Sequence, residues 1–455
     1  MNHPRRTTME WHAMKIRTVA SILLAATLAL APVSRAFAQP AMANAPTMTL
    51  SLNDAITTAL ANNLSYRSAQ ADVNAAAARI VQAAAGRYPT LSVGDAHQHT
   101  QSAGAFVLPS PNGPVRIPIT ATNYNSYNET VQWAINAGGP VEAAVGQASA
   151  GYQAAQSDLA ATRAQVIDDT TSAYFGLIEA RKAATIADLA VSVAQDDVKT
   201  SQELYSAGTV PQADVLRQQV SLANAQVAQV QADNAAALAN ANLANLLNVN
   251  LGSTIEPSES LTVAAPSYTL DDLLAEASVK RPEIAAAKSA VEIAQDAVRE
   301  ARAGTLPTFS VQLQNASTTP NFFNVKQPQL SETLAVTWAL FDGGLTHGKV
   351  AEATADVDKA GVNLQQLKNG VDLEVREAFF NYTAAQAQVA AASSGQASAD
   401  ENLRVTRIRY RAGVGTSLEL ADALLADTQA QTQYVSAQAG LRTALVVLQR
   451  AAGLL

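Results

Sequence analysis

The 455-residue chain contains no cysteine. Disulfides, thiolate metal sites and thiol nucleophiles are thereby excluded, and so is a lipid anchor on an N-terminal cysteine. Aromatic residues supply only 5% of a chain that is 48% hydrophobic. Alanine makes up much of the difference, which suits long helices better than a compact aromatic core. Proline is missing between Pro140 and Pro211 and again after Pro328. Past the N-terminus no run reaches the ~18 uninterrupted apolar residues of a membrane-crossing helix. Any passage through a membrane must therefore be made by β-strands.

Positive charge is also in short supply. Lys15 and Arg17 precede an apolar run at 20–33, and Ala36-Phe37-Ala38 follows as a small-residue cleavage site. Residues 1–38 thus read as a removable export signal, with Met14 as an alternative start. This leader holds five of the 30 basic residues and one of the 38 acidic ones, so the mature chain carries a formal charge of −12. That balance argues against a nucleic-acid partner.

What is present is an internal duplication. "LNDAITTALANNLSY" (52–66) matches "LDDLLAEASVKRPEI" (270–284), and Pro89 in "YPTLSV" matches Pro307 in "LPTFSV", both at an offset of 218. The offset then falls to 205: Trp133 matches Trp338, "AYFGL" (173–177) matches "AFFNY" (378–382), and "LYSAGTVPQADVL" (204–216) matches "RYRAGVGTSLELA" (409–421). The first copy therefore carries a 13-residue insertion, which contains the Pro-rich, loop-like 107–118. The expected organisation is a first repeat at 39–248, a linker at 249–268 containing Pro257 and Pro266, and a second repeat at 269–455.

Each repeat predicts the same order. A short helix opens on a capping pattern, Ser51-x-x-Asp54 or Thr269-x-x-Asp272. A helix follows at 64–86 or 282–304, then two strands within 89–137 or 307–342. A long helix at 139–207 or 344–412 comes next, about 100 Å at 1.5 Å per residue. The last helix spans 211–248 or 416–452. In 330–341, Leu330, Leu334, Val336, Trp338 and Leu340 alternate with small or polar residues, as in a membrane barrel strand. Tyr127, Val131, Trp133 and Ile135 alternate in the same way. Glu129 and Glu332 fall on the apolar face, which places them near an interface. The class is mainly α with a small β part. Four strands are too few for a closed barrel of about eight or more, so a barrel implies several chains. A soluble two-sheet domain stays open on pattern alone.

The break between the last two helices of each repeat has its own signals. Gly413 suits the C′ position, where φ is positive. Thr416 then caps the next helix with Glu419 in a Thr-x-x-Glu box. In the first repeat Gly208 takes the first role, Pro211 starts the next helix, and Asp214 aligns with Glu419. Acids in a first turn also complement the helix dipole. Asp422 lies a turn further in, on the face of Glu419.

The ordered set of "LxxAI…AL…NN", a Pro-led strand, "W…GG" and "YxxGxxxxxDVL", found twice over about 48–453, resembles the TolC-like outer-membrane efflux family. The resemblance implies a homotrimer with a twelve-stranded barrel in outer-membrane lipid and an α-helical tunnel in the periplasm. It implies two protein partners, a periplasmic adaptor and an inner-membrane transporter. Small-molecule or drug efflux is the expected use. The alternatives are a type I protein secretion channel and a periplasmic coiled coil without a pore. At the constriction it implies acids at Glu419 and Asp422, with Tyr410 hydrogen-bonded to Asp214 to hold the tip closed. The best-known members carry arginine where this chain has Gly415, and Arg411 and Arg217 are the candidate substitutes. The tips around Gly208, Gly413 and Gly415 are expected to meet the adaptor. Trp133 and Trp338, with Tyr124 and Tyr127, fit an interfacial aromatic belt.

No catalytic constellation and no cofactor motif is present. Gly413-Val414-Gly415 lacks the preceding strand and following Gly-Lys-Ser/Thr of a phosphate loop. His97 and His99 share a strand face without the further ligands a metal needs and read as a solvated pair near a barrel rim.

Overall fold

The computed structural model describes residues 47–100, 105–118, 122–136, 139–262, 266–319 and 329–455. The export signal expected at 1–38 lies outside them. In chain order the elements are β1 (Thr47–Leu50), α1 (Leu52–Asn62), α2 (Leu64–Ala84), β2 (Thr90–Thr100), β3 (Ala105–Leu108), β4 (Val115–Pro118) and β5 (Thr122–Asn136). There follow α3 (Pro140–Ser206), α4 (Gln212–Leu246), β6 (Thr254–Pro257), α5 (Leu270–Lys280), α6 (Pro282–Ala303), β7 (Thr308–Thr319), β8 (Gln329–Thr337), α7 (Leu345–Arg411) and α8 (Ser417–Ala451).

The duplication is visible element by element. Ser51 and Asp54 form a full capping box on α1, and the Thr269 hydroxyl accepts the Asp272 backbone N–H at the start of α5. The two long helices, α3 and α7, each have 67 residues, and each follows a glycine in the left-handed region, Gly139 (φ 86°) and Gly344 (φ 92°). A side chain there would meet the steric penalty that glycine escapes. Their partners α4 and α8 each have 35 residues and run back alongside them.

The strand pairs of the two repeats merge into one antiparallel sheet of order β2-β5-β7-β8. Its register stacks the apolar residues in rows. Ile135, Phe309 and Val336 share one row, Trp133, Val311 and Leu334 the next, and Leu91, Val131 and Leu313 the third. Leu91, Val93, Leu330, Leu334 and Val336 on this face are all well exposed. The opposite face carries Thr90, Ser92, Thr130, Gln132, Ser310, Gln312 and Thr333. Glu332 joins the third apolar row beside Leu313. Glu129 sits in the fourth, where it accepts hydrogen bonds from the Tyr127 hydroxyl (2.6 Å) and the Asn315 amide (3.3 Å). These bonds satisfy a carboxylate that would otherwise face apolar neighbours alone.

Three features differ from the sequence expectation. The loop in the first repeat holds a small hairpin, β3–β4, closed by a turn in which Gly113 N–H donates to the Ser110 carbonyl. The second repeat's last strand stops at Thr337 rather than near 342. Thr337 pairs with Thr308, the first residue of β7, and Pro307 before it has no N–H to extend the ladder. The region expected as a plain linker contains β6, which pairs in parallel with β1 from Thr47↔Thr254 to Leu50↔Pro257. Tyr174 fastens this ribbon to α3: its hydroxyl donates to the Leu50 carbonyl (2.9 Å) and accepts the backbone N–H groups of Ser258 and Glu259.

Among the described residues, buried apolar side chains gather in three places. One cluster centres on Tyr174, Phe175, Leu243 and Ile255, and a second on Leu273, Val375, Tyr382 and Leu448. The third lies toward the far ends of the long helices and holds Ala194, Leu403, Tyr410, Leu420, Ala423 and Leu424. It packs the α3–α4 hairpin of the first repeat against the α7–α8 hairpin of the second. Between the first two clusters an ionic network ties the repeats together. Arg450 on α8 pairs with Asp168 on α3 (3.1 Å) and Glu374 on α7 (3.4 Å), and buried Arg281 also reaches Glu374 (2.8 Å).

Candidate functional site

The two hairpin turns close in the same way. Ala207 and Ala412, the C-cap residues, share φ −78° and ψ −2°. Gly208 (φ 74°) and Gly413 (φ 73°) follow in the left-handed region. In each turn the glycine N–H donates to the carbonyl three residues back, Tyr205 or Tyr410. The next N–H reaches five residues back, Thr209 to Leu204 (2.9 Å) and Val414 to Arg409 (3.0 Å). These are paired Schellman motifs, which satisfy the last helical carbonyls.

The turns diverge at Gly415. Its φ is not in the left-handed region, yet a Cβ there would lie 3.0 Å from the Tyr410 backbone nitrogen and 3.2 Å from the Arg409 carbonyl carbon. Its N–H donates to the Arg409 carbonyl at 3.1 Å, which draws the turn tight against the end of α7. A side chain there would require the Arg409–Tyr410 backbone to give by a few tenths of an ångström.

Beyond it, Thr416 and Glu419 form a complete capping box on α8. Glu419 also faces Arg409 at 4.0 Å, so this acid is occupied by its cap and a cation. Asp422, a turn further on, is exposed and forms no hydrogen bond or ion pair among the described residues. It lines a groove of about 380 Å³ with Arg217, Val220, Leu418 and Leu425, between α4 and α8.

Asp214 and Tyr410 are brought close without bonding to each other. The Tyr410 side chain is 1% exposed, and its hydroxyl has no hydrogen-bond partner among the described residues. Burial raises its pKa above the ordinary phenol value, and the nearby charges of Asp214 and Asp197 push in the same direction. Asp214 is engaged elsewhere, by the Ser417 hydroxyl, which donates to its Oδ1 at 2.7 Å. The hydrogen bond expected between Tyr410 and Asp214 is therefore replaced by one from Ser417.

Ser417 did not stand out in the sequence, and no local pattern marks it. It is fully buried at the first position of α8. Its hydroxyl also accepts from Arg217 Nη1 (2.8 Å), and its carbonyl accepts from the Gln218 amide (3.0 Å). Asp214, Arg217 and Gln218 are spaced i, i+3, i+4 on α4 and so present one face. A second polar link lies deeper. Arg407 on α7 donates through two nitrogens to Asp197 Oδ1 on α3, at 3.1 and 3.2 Å. Burial raises the Asp197 pKa, and the Arg407 charge partly opposes this.

At the opposite end of the long helices, Trp133 Nε1 donates to the Arg87 carbonyl and Trp338 Nε1 to the Thr305 carbonyl, each at 3.0 Å. Both indoles lie at the junction of sheet and helices. His97 Nδ1 meets Asn125 Oδ1 across the β2–β5 pair, so this histidine is engaged within the sheet. No group of three or more His, Asp or Glu side chains suited to a metal occurs among the described residues.

An amphipathic antiparallel sheet joined to paired helices of such length is the fold of outer-membrane channel proteins. The chain belongs to the outer membrane efflux protein family, whose profile matches residues 55–249 and 273–454. It is 28% identical over 409 residues to protein CyaE of Bordetella pertussis, spanning 89% of this chain and 84% of that one. It is 25% identical over 293 residues to the alkaline protease secretion protein AprF of Pseudomonas aeruginosa, over 62% of this chain and 60% of AprF. Among solved structures it superposes on the CmeC outer membrane channel of Campylobacter jejuni with a TM-score of 0.76 at 17% identity, covering 88% of this chain and 85% of that one. The protein is thus a TolC-like outer-membrane channel component and not an enzyme.

Proposed function

We propose that three copies of the chain assemble into a channel that carries substrates from the periplasm across the outer membrane. The sheet carries this reading. Its strands alternate in direction, so β2 at one edge and β8 at the other are antiparallel to each other. β8 of one copy therefore matches β2 of the next, and three copies yield twelve strands without a free edge. The apolar rows then face lipid and the Thr, Ser and Gln face lines the lumen. Trp133 and Trp338 sit at the membrane interface on the helical side.

The helices continue the lumen as a tunnel into the periplasm. Around a threefold axis Glu419 and Asp422 supply six carboxylates at its far end, a ring that favours cations. Asp422, exposed and unpaired, dominates this ring, while Glu419 is also held by its cap. The tips around Gly208, Gly413 and Gly415 meet a periplasmic adaptor, which links the channel to an inner-membrane transporter.

Drug or small-molecule efflux is the first reading of the cargo. Protein secretion is the second, favoured by the similarity to a relative named for secretion of an alkaline protease. Purified protein in planar bilayers tests the channel. Cation-selective conductance by a heat-dissociable oligomer is expected, with selectivity reduced by Asp422→Asn and less by Glu419→Gln. A monomer recovered from the soluble fraction without conductance overturns the reading. In cells lacking the chain, drug hypersensitivity with an unchanged set of secreted proteins supports efflux. Loss of one secreted protein with unchanged drug tolerance supports secretion.

A further inference from the structure

We propose that the seam between copies closes in one register, in which the Glu332 carboxylate of one copy accepts a hydrogen bond from the His99 imidazole of the next. This rests on the channel reading and goes beyond closure to the side chains that align one copy on another.

The register follows from the duplication. Within each repeat the two strands pair identically: Thr90↔Gln132 in the first becomes Thr308↔Thr337 in the second, under the offsets of 218 and 205 that relate the repeats in sequence. The indole bonds keep the same offsets, Trp133 to Arg87 and Trp338 to Thr305. The junction between repeats is β5 against β7, and it runs Val131↔Leu313, Glu129↔Asn315 and Tyr127↔Ser317. β8 against β2 of the next copy is the same kind of junction, the last strand of one repeat beside the first strand of the repeat that follows. Carried over by the same offsets, it runs Val336↔Asp95, Leu334↔His97 and Glu332↔His99.

Two further observations point to this seam. Of the two acids on the apolar face, Glu129 is satisfied by Tyr127 and Asn315, whereas Glu332 forms no hydrogen bond or ion pair among the described residues. A carboxylate on a face turned to lipid is costly without a partner. Residues directly opposite on antiparallel strands have Cβ atoms about 4.5–5.5 Å apart, within reach of a carboxylate–imidazole bond. The edges are also the uncovered part of the face. Leu334 on β8 is 82% exposed and Val93 on β2 is 61% exposed, against 39% for Trp133 and Leu313 on the inner strands. A second copy of this chain therefore covers both edges at once and gives Glu332 a donor.

The absence of cysteine makes the register measurable in the full chain. Purified oligomer of a Glu332→Cys/His99→Cys variant is oxidised, or joined by a short methanethiosulfonate linker, then heated in detergent and run without reductant. Covalent dimers and trimers are expected. Leu330→Cys/His99→Cys and Leu334→Cys/His99→Cys, each a slip of two residues, are expected to give at least tenfold less. Charge exchange tests the pair itself. Glu332→His and His99→Glu are each expected to lower the temperature at which the oligomer dissociates in detergent by several degrees. The exchanged double variant is expected to recover at least half of that loss, which a merely structural role for either residue would not produce. A dominant product from either slipped pair, or losses that add in the double variant, overturns the proposal while leaving the channel intact. A wild type with neither oligomer nor conductance overturns the channel reading on which it rests.

Discussion

The Trp133 indole donates to the Arg87 carbonyl across a separation of 46 residues, and the Trp338 indole makes the equivalent bond to Thr305 across 33. The difference is the 13-residue insertion in the first repeat. The chain thus keeps the contact in both copies while the loop between its ends varies. Each bond pins the second strand of a repeat to the end of the helix that feeds the first. Trp133→Phe and Trp338→Phe each remove the donor and keep one aromatic ring. Each is expected to cost up to about 1 kcal/mol, with the two costs adding because the sites lie in different repeats. Denaturation in detergent measures this, and a double variant no less stable than the wild type rejects the role.

Tyr410→Phe and Asp214→Ala are expected to part company. The tyrosine hydroxyl is buried without a partner, so its removal is neutral or slightly stabilising. Asp214→Ala leaves the Ser417 hydroxyl without its acceptor and Arg217 without its neighbouring carboxylate. Conductance should remain at the wild-type level in Tyr410→Phe and rise in Asp214→Ala. Equal increases in both would restore a direct bond between the two residues.

The turn glycines make opposite demands. Gly413 has φ 73° and open space around the position of a Cβ. Gly413→Ala is expected to cost about 1 kcal/mol from backbone strain alone, and Gly413→Asn less, because asparagine tolerates this region. Gly415 has permissive φ, but a Cβ there would press on backbone atoms at 3.0 and 3.2 Å. Gly415→Arg, which adds a cation to the turn, is therefore expected to lower stability and to leave the tip looser. Thermal melts with conductance distinguish the cases, and a Gly415→Arg protein with higher stability and lower conductance contradicts the steric argument.

Much of this architecture is legible in the sequence because its signals are local. Proline-free alanine-rich runs mark the long helices, Gly208 and Gly413 mark their ends, and alternation marks the apolar face of the sheet. Thr416 and Glu419 are three residues apart, so their box is written in one stretch of chain. Ser417 and its α4 partners lie 199 to 203 residues apart, with no periodicity to connect them. The β1–β6 ribbon is hidden for the same reason, with four-residue strands paired from the start of one repeat to the end of its last helix. Gly415 reads as part of a break, and only the fold brings the backbone of Arg409 and Tyr410 against it.

Asp427 on α8 offers a test of buried charge. It is 5% exposed, accepts one hydrogen bond from the Gln431 amide (2.8 Å), and leaves Oδ1 without a partner. No cation pairs with it among the described residues. Burial pushes its pKa above the ordinary carboxylate range, with Asp400 adding to the shift and Gln431 opposing it. A carboxyl raised in this way holds its proton more tightly folded than unfolded. Its contribution is therefore most favourable at low pH. That advantage is lost as pH rises from the unfolded value through the raised folded value. Near neutrality the folded protein must hold a desolvated charge. Asp427→Asn removes that charge at similar volume, so the variant is expected to melt higher than the wild type near neutral pH. The gap should close as pH falls below the ordinary carboxylate range, where the wild-type group is protonated in both states. Melting curves of the two proteins across that interval measure the gap, and a difference independent of pH would show that Asp427 is not held as a buried charge.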